Sequence, residues 1–126
     1  MTQAVPFGSA PSAPAVVTKA AVRAADKLGL TSKVLARIIG LSEASVSRMR
    51  RGDYLLGEND KPFELAVLFI RLYRSLDAIV GGDDAVANAW LKNRNTALNA
   101  TPLELIQTVH GLTHAIQYLD ARRAIV

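Results

Sequence analysis

Residues 32–51, SKVLARIIGLSEASVSRMRR, decide the fold. A helix-turn-helix needs a small residue where its helices nearly touch, a turn residue that tolerates positive φ, and apolar residues that anchor the second helix. The residues at those places are Ala36, Gly40, Val46 and Met49. The stretch therefore predicts two short helices joined by a tight turn, the arrangement that enters a groove of DNA.

The outward positions of the second helix are the candidate DNA contacts. If Val46 and Met49 face inward, the outward residues are Ser42, Glu43, Ala44, Ser47 and Arg48, followed by Arg50 and Arg51. All except Glu43, whose charge favours the helix N-terminus, are candidate contacts. Arg48 is expected to read a guanine, because its guanidinium can pair with both O6 and N7. Ser47 and the other two arginines are expected to contact phosphates. The alternative is a plain α-hairpin whose arginines form a solvated face.

The sequence on either side of this stretch also predicts helices. Apolar residues recur at helical spacing from Val17 to Leu28, and Gly29 follows as a stop signal. Residues 63–80 are apolar almost all round, so a helix there needs neighbours on most sides. No segment alternates with the period of two that a strand requires. The predicted fold class is therefore all-α, with an N-terminal helix-turn-helix bundle followed by a small helical subdomain.

Three further helices are expected in the second half. The first is capped by Asp83 or Asp84, and its predicted inner face consists of Val86, Ala89 and Trp90. The second begins at Thr101-Pro102-Leu103-Glu104, a capping-box pattern with proline at the first helical position. It is predicted to run to His110, where Gly111 breaks it. The last helix follows that glycine and is predicted to fray near Arg122.

Composition divides the chain into three segments. Residues 1–15 carry no charge and three prolines, which predicts a disordered tail. Residues 16–60 are predicted to form the helix-turn-helix domain, and residues 61–126 the second helical domain. The net charge of +4 permits binding to a polyanion without proving it.

The apolar content predicts that part of the surface is covered by another chain. Half of the residues are hydrophobic, which is high for 126 residues. The helix over residues 63–80 is expected to join the two halves and to supply a self-association surface that includes Leu72. Because a helix-turn-helix usually reads two half-sites, a homodimer is predicted.

Neither an enzyme nor a metal site is expected. His110 and His114 are four residues apart, but the chain offers no neighbouring ligand and no cysteine to complete a site. The sequence contains no glycine-rich phosphate loop and no nucleophile elbow, so no cofactor is predicted. Its longest uncharged apolar run, LAVLFI, is too short to span a bilayer, which favours a soluble cytoplasmic protein.

An ordered series of residues runs through the second half. Its members are Trp90-Leu91, Asn95, Ala97-Leu98, Thr101-Pro102-Leu103-Glu104-Leu105, Thr108 and Gly111. This series resembles the toxin-binding domain of the Xre/MbcA/ParS antitoxins. The chain departs from the family pattern at Arg94-Asn95, where relatives commonly have Pro-Asn, and at Asn99-Ala100, where they have a glycine. Together with the Xre-like helix-turn-helix, the resemblance covers nearly everything after the tail.

The resemblance implies two tasks and two partners. Such antitoxins bind and inactivate a RES-type toxin that consumes NAD, and the pair usually represses its own operon. The partners would then be a toxin protein and operator DNA, in a toxin-antitoxin hetero-oligomer built on the homodimer. The residues expected to contact the toxin are Tyr118, Arg122, Arg123, Ala124, Ile125 and Val126. The last three are expected to reach toward the toxin's active site.

Two alternatives remain open from the sequence. The first is a dimeric transcriptional repressor without a toxin partner. The second is a protein inhibitor whose helix-turn-helix no longer binds DNA. Trp90, Leu98, Pro102 and Leu105 are most simply core residues of the helical subdomain, so the toxin would contact its exposed rim.

Overall fold

The computed structural model describes the backbone of residues 12–125 and the side chains of residues 12–124. In that part of the chain the helices are α1 Ala13–Lys27, α2 Ser32–Ile39, α3 Glu43–Arg51, α4 Lys61–Ile79, α5 Asp84–Lys92, α6 Pro102–Leu105 and α7 Val109–Ile125. The predicted all-α class is confirmed. Most of the tail predicted over residues 1–15 lies outside the described residues, but residues 13–15 form the first turn of α1.

α2 and α3 form the predicted helix-turn-helix. Thr31 and Ser42 cap the two helices, each accepting a hydrogen bond from the backbone amide three residues further on, at 3.2 and 3.1 Å. Gly40 ends α2 with a φ of 76°, a left-handed conformation that glycine adopts without strain. The predicted anchors Ala36, Val46 and Met49 are buried, as are Leu35 and Ile39, whereas Leu41, also expected in the core of the motif, is half-buried.

α4 lies at the centre of the molecule and packs against α1, α2, α5 and α7. Phe69, Leu72 and Leu76 are each no more than 1% exposed and belong to one core that extends through both halves. This confirms that α4 joins the two halves. Leu72 is therefore unavailable to another chain, and its assignment to a self-association surface is wrong.

The buried face of α5 differs from the face predicted from the sequence. The predicted face consisted of Val86, Ala89 and Trp90. Ala87 and Leu91 are the buried residues, whereas Val86 is 49% exposed. The Asn88 side chain donates a hydrogen bond to the Lys27 carbonyl oxygen at 3.1 Å. This contact turns the face of α5 that contains Asn88 toward α1. Ala87, next to Asn88, and Leu91, one turn further on, are therefore the residues that become buried.

The helix predicted from residue 102 to His110 is wrong, because α6 ends at Leu105 and α7 begins at Val109. Thr108 caps α7 by accepting a hydrogen bond from the Gly111 amide at 3.0 Å. Gly111 is buried within α7, and a Cβ atom there would lie 1.9 Å from the Leu105 carbonyl oxygen. Glycine thus permits the two helices to touch and does not break one.

The turn between α5 and α6 depends on two asparagines. Asn99 has a φ of 54°, in the left-handed region where asparagine is better tolerated than most residues. Its side-chain oxygen accepts a hydrogen bond from Arg94. The Asn95 side-chain oxygen accepts one from the Leu98 amide at 3.0 Å. Asn99 therefore adopts a left-handed turn conformation for which glycine is the commonest residue.

Candidate functional site

The outer face of α3 carries most of the predicted DNA contacts. The exposed members of the set are Ser42, Ala44, Arg48 and Arg51. Ser47 and Arg50 are half-buried. Because Val46 and Met49 fix the opposite face in the core, α3 presents one polar side to solvent, with its arginines in the second half of the helix. This is the side that a helix-turn-helix turns toward DNA.

Arg48 is held in place by two neighbours. Its Nη2 donates a hydrogen bond to Ser45 Oγ at 3.2 Å, and its guanidinium carbon lies 5.1 Å from the centre of the Tyr54 ring. The ring attracts the cation and restricts its rotamers. Its other N–H groups have no acceptor within the described part of the chain. Arg48 is therefore a preorganised fork, which loses less conformational entropy on binding.

The Arg50 side chain binds to other parts of the protein. Its guanidinium forms an ion pair with Asp26 near the end of α1, and its Nη2 donates a hydrogen bond to the Leu30 carbonyl oxygen at 2.9 Å. Its Nε is buried without a partner among the described residues. Arg50 thus differs from the exposed Arg48 and Arg51, because it is half-buried and has partners within the protein.

In the second half, Tyr118 and Arg122 form one cluster on α7. Arg122 Nη1 donates a hydrogen bond to the Tyr118 hydroxyl at 2.8 Å, and the guanidinium carbon lies 5.7 Å from the ring centre. Both residues line a cavity of about 210 Å³ together with Trp90. An arginine beside two aromatic rings at an open cavity has the composition of a protein-binding hot spot.

Arg123 and Ala124 lie on a different face of α7. They line a groove of about 670 Å³ between α1, α4 and α7, called here the α1/α4/α7 groove. Arg123 donates a hydrogen bond to Ser75 Oγ at 3.2 Å. α7 continues to Ile125, three residues beyond Arg122, where the sequence predicts fraying. The side chain of Ile125 and all of Val126 lie outside the described residues.

A polar network joins α4 to α7 along this groove. Asp120 accepts hydrogen bonds from Ser75 Oγ at 2.7 Å and from Arg71 Nη2 at 2.5 Å. The bond from Ser75, followed by that from Arg71, lowers the pKa of Asp120 below its usual value, although burial opposes this. The carboxylate therefore stays charged and fixes the last turns of α7 against α4.

The partners of the site residues were only partly accessible to sequence reasoning. Ser45 lies three residues before Arg48 on one helix, so simple spacing could have paired them. Tyr54 follows the turn at Gly52, and no periodicity places its ring beside Arg48. The network of Asp120 joins residues 45 positions apart and left no local signal.

His110 and His114 are both exposed on α7. Among residues 12–124, no group of three or more potential metal-ligating side chains comes together. None of the helices described combines the length and the apolar character that a membrane crossing requires.

Two known families match the chain. Residues 9–71 match the antitoxin Xre-like helix-turn-helix domain, and residues 75–124 match the C-terminal toxin-binding domain of the antitoxins Xre/MbcA/ParS. The two matches meet within α4. A search of curated proteins finds no match. The first match spans α1, α2 and α3 with most of α4, including Arg71, and the second spans the cavity beside Trp90 together with Ser75 and Asp120 of the polar network. The chain therefore belongs to the Xre/MbcA/ParS antitoxins, with a helix-turn-helix and a toxin-binding domain in one polypeptide.

Proposed function

We propose that the protein binds and neutralises a RES-type, NAD-consuming toxin and represses its own operon. Its antitoxin family supports a toxin partner, and the resemblance of the second half supports the RES type. The observation that carries the DNA-binding half of the proposal is the exposed fork of Arg48, preorganised by Ser45 and Tyr54. In this proposal Arg48 reads a base and Arg51 contacts a phosphate, with Ser42, Ala44 and Ser47 beside them.

The first prediction concerns operator binding. Arg48→Ala is expected to cost about 1–3 kcal/mol on the operator and much less on random duplex, because a bidentate base contact carries sequence information. Arg51→Ala is expected to weaken binding to both duplexes and to reduce the salt dependence, because a phosphate contact does not discriminate. Fluorescence anisotropy at several salt concentrations measures both effects.

Two further variants make this measurement specific. Arg48→Lys keeps the charge but removes the fork, so it is expected to lose discrimination while it retains binding to random duplex. Arg122→Ala removes an exposed arginine from the other half and is expected to leave DNA binding unchanged. An equal loss on both duplexes for Arg48→Ala would assign Arg48 to the phosphates. No operator shift from the wild-type protein, alone or with its toxin, would reject the DNA-binding half of the proposal.

The proposed toxin surface combines the cavity beside Trp90 with the last residues of α7. Tyr118 and Arg122 supply an aromatic and a cationic anchor at the cavity, and residues 124–126 are proposed to reach the toxin's active site. Arg123 lies at the rim and is also bonded to Ser75. The support for this assignment is the hot-spot composition of the cluster and its position within the toxin-binding domain.

The second prediction separates these two parts of the surface. Deletion of residues 124–126 keeps the contacts of Arg122 and Arg123, so the variant is expected to fold and to shift operator DNA. It should fail to rescue growth against the toxin, because the active site stays open. Tyr118→Ala is expected to weaken the complex about 30-fold or more in a titration, as loss of a hot-spot residue does. Arg48→Ala is the matched control and should rescue fully.

Two other outcomes would change or reject the proposed toxin surface. Full rescue by the deletion, combined with failure of Tyr118→Ala, would assign the blockade to the surface around Trp90 and Tyr118. If co-expression with the neighbouring gene gives neither a pull-down nor rescue, the toxin half of the proposal is rejected. A repressor without a toxin partner would then be the function to test, through operator binding alone. A homodimer is part of the proposal, because a helix-turn-helix that reads a palindrome needs two copies.

A further inference from the structure

One face of α4 is exposed and carries charge in a fixed order. The residues on this face, called here the α4 stripe, are Asp60, Glu64, Val67, Arg71 and Arg74. They recur at intervals of three or four, so they lie in one line along the helix. The carboxylates occupy its N-terminal end, the guanidiniums its C-terminal end, and an apolar residue its middle.

The middle of the stripe has unusual apolar exposure. Val67 is 44% exposed, and across the α1/α4/α7 groove Val16 is 50% exposed. Val67 also borders a second depression toward the N-terminal end of α4, lined by Phe63 and Leu68. Apolar side chains on both sides of one exposed valine favour a partner that lies along α4.

The charges specify the chemistry of that partner. The α1/α4/α7 groove contains the arginines Arg71, Arg74 and Arg123 but Asp120 as its single carboxylate. A partner segment with carboxylates would complement this end. Conversely, the end with Asp60 and Glu64 would take arginines, although Glu64 already pairs with Lys61 at 2.8 Å. The α4 stripe is therefore complementary to itself in the reverse direction.

We infer that a second copy of this chain docks on the α4 stripe, with the two α4 helices antiparallel about a two-fold axis at Val67. Asp60 and Arg74 are both seven residues from Val67, so each would face the other in the second copy. Glu64 and Arg71, three and four residues away, would face each other in the same way. Phe63 of the second copy would cover Ile70 in the groove. A parallel pairing would oppose like charges and is disfavoured.

This arrangement deepens the homodimer of the proposed function and rests on it. It is isologous, since one patch serves both copies, and a two-fold dimer matches a palindromic operator. It also leaves Trp90, Tyr118 and Arg122 outside the stripe and the groove, so they would stay free for a toxin. Arg123 and Ala124 would lie at the rim of the dimer interface.

A residue on a two-fold axis meets its own copy, which gives a sharp test. Val67→Glu and Val67→Lys should each weaken self-association about 100-fold or more, because each opposes like charges at the axis. An equimolar mixture of the two variants should recover the dimer, since glutamate then meets lysine. Light scattering at micromolar concentration measures the mass, and circular dichroism confirms that each variant is folded. Val109→Glu, at a valine that is 58% exposed on α7, is the matched control and should remain dimeric.

The antiparallel register has its own test. Arg74→Glu should weaken the dimer by opposing Asp60, and the double variant Asp60→Lys with Arg74→Glu should restore it. A monomeric wild type, a dimer indifferent to charge at Val67, or a mixture that stays monomeric would overturn the inference. Loss of toxin binding by Val67→Glu with the dimer intact would also overturn it and assign the stripe to the toxin. The mass measurements need neither DNA nor toxin. A failure of the dimer inference can therefore be distinguished from a failure of the proposed function, which operator binding and growth rescue test.

Discussion

Gly111→Ala is expected to destabilise the protein by about 2 kcal/mol or more, as overpacking of a well-packed contact does. A loss of stability would be informative, because alanine is the better helix former. Helix propensity alone predicts that the substitution raises the free energy of unfolding by about 1 kcal/mol. The added methyl group would lie 1.9 Å from the Leu105 carbonyl oxygen, a backbone atom that no side-chain rotation can move. α6 and α7 must separate to accommodate it.

Urea denaturation followed by circular dichroism measures this effect. His114→Ala is the control on the same helix, and its effect should stay within about 0.5 kcal/mol because His114 is exposed. The toxin-binding half should lose most protection in hydrogen exchange, since α6 and α7 both belong to it. A Gly111→Ala protein as stable as the wild type would show that the contact between these helices contributes nothing to the fold.

Leu72→Glu is expected to abolish cooperative folding. Leu72 is fully buried at the centre of α4, and loss of its side chain alone costs about 2–5 kcal/mol. A carboxylate without a partner in that position adds several kcal/mol, whether it remains charged or becomes protonated. The sum is comparable with the whole stability of a small domain, about 5–15 kcal/mol.

The matched control is Val67→Glu, which introduces the same residue five positions earlier on the same helix. Val67 is 44% exposed, so this variant should keep its helical content and still unfold cooperatively. Leu72→Ala is a milder variant whose loss of stability should be measurable in urea. If Leu72→Glu folds with wild-type helicity, the core assigned to α4 is incorrect.

Local rules were sufficient for the first half of the fold. The caps at Thr31 and Ser42, the left-handed Gly40, and the burial of Val46 and Met49 depend on neighbours within a few residues. Sequence patterns report such neighbours directly. The outward positions of α3 followed from the same periodicity, which is why most predicted DNA contacts are exposed.

The failures arise from packing contacts that local propensity does not report, two of them between residues far apart in sequence. Gly111 is a helix breaker by local propensity, but its contact with the Leu105 carbonyl oxygen makes it part of α7. The orientation of α5 depends on Asn88 and the Lys27 carbonyl oxygen, 61 positions away. Arg50 has the pattern of a phosphate contact, and Asp26 on α1 engages it instead. The partners of Asn88 and Arg50 cannot be read from a local window, and local propensity gives no sign that Gly111 packs on Leu105.

The predicted toxin contacts show a similar limit. Spacing put Tyr118 and Arg122 one turn apart, and the structure joins them. Spacing did not indicate that Arg123, the next residue, faces α4 and not the cavity beside Trp90. A helix turns by about 100° for each residue, so adjacent arginines reach different neighbours.

The position of α4 constrains how this chain can change over evolutionary time. The two family matches meet between residues 71 and 75, in the middle of one continuous helix whose buried side chains contact both halves. No loop separates the halves at that point, so recombination there would join two incompatible helix faces. A new operator specificity can therefore arise by point substitution on α3. An exchange of the whole DNA-reading half would have to bring α4 with it and adapt α7 at the same time.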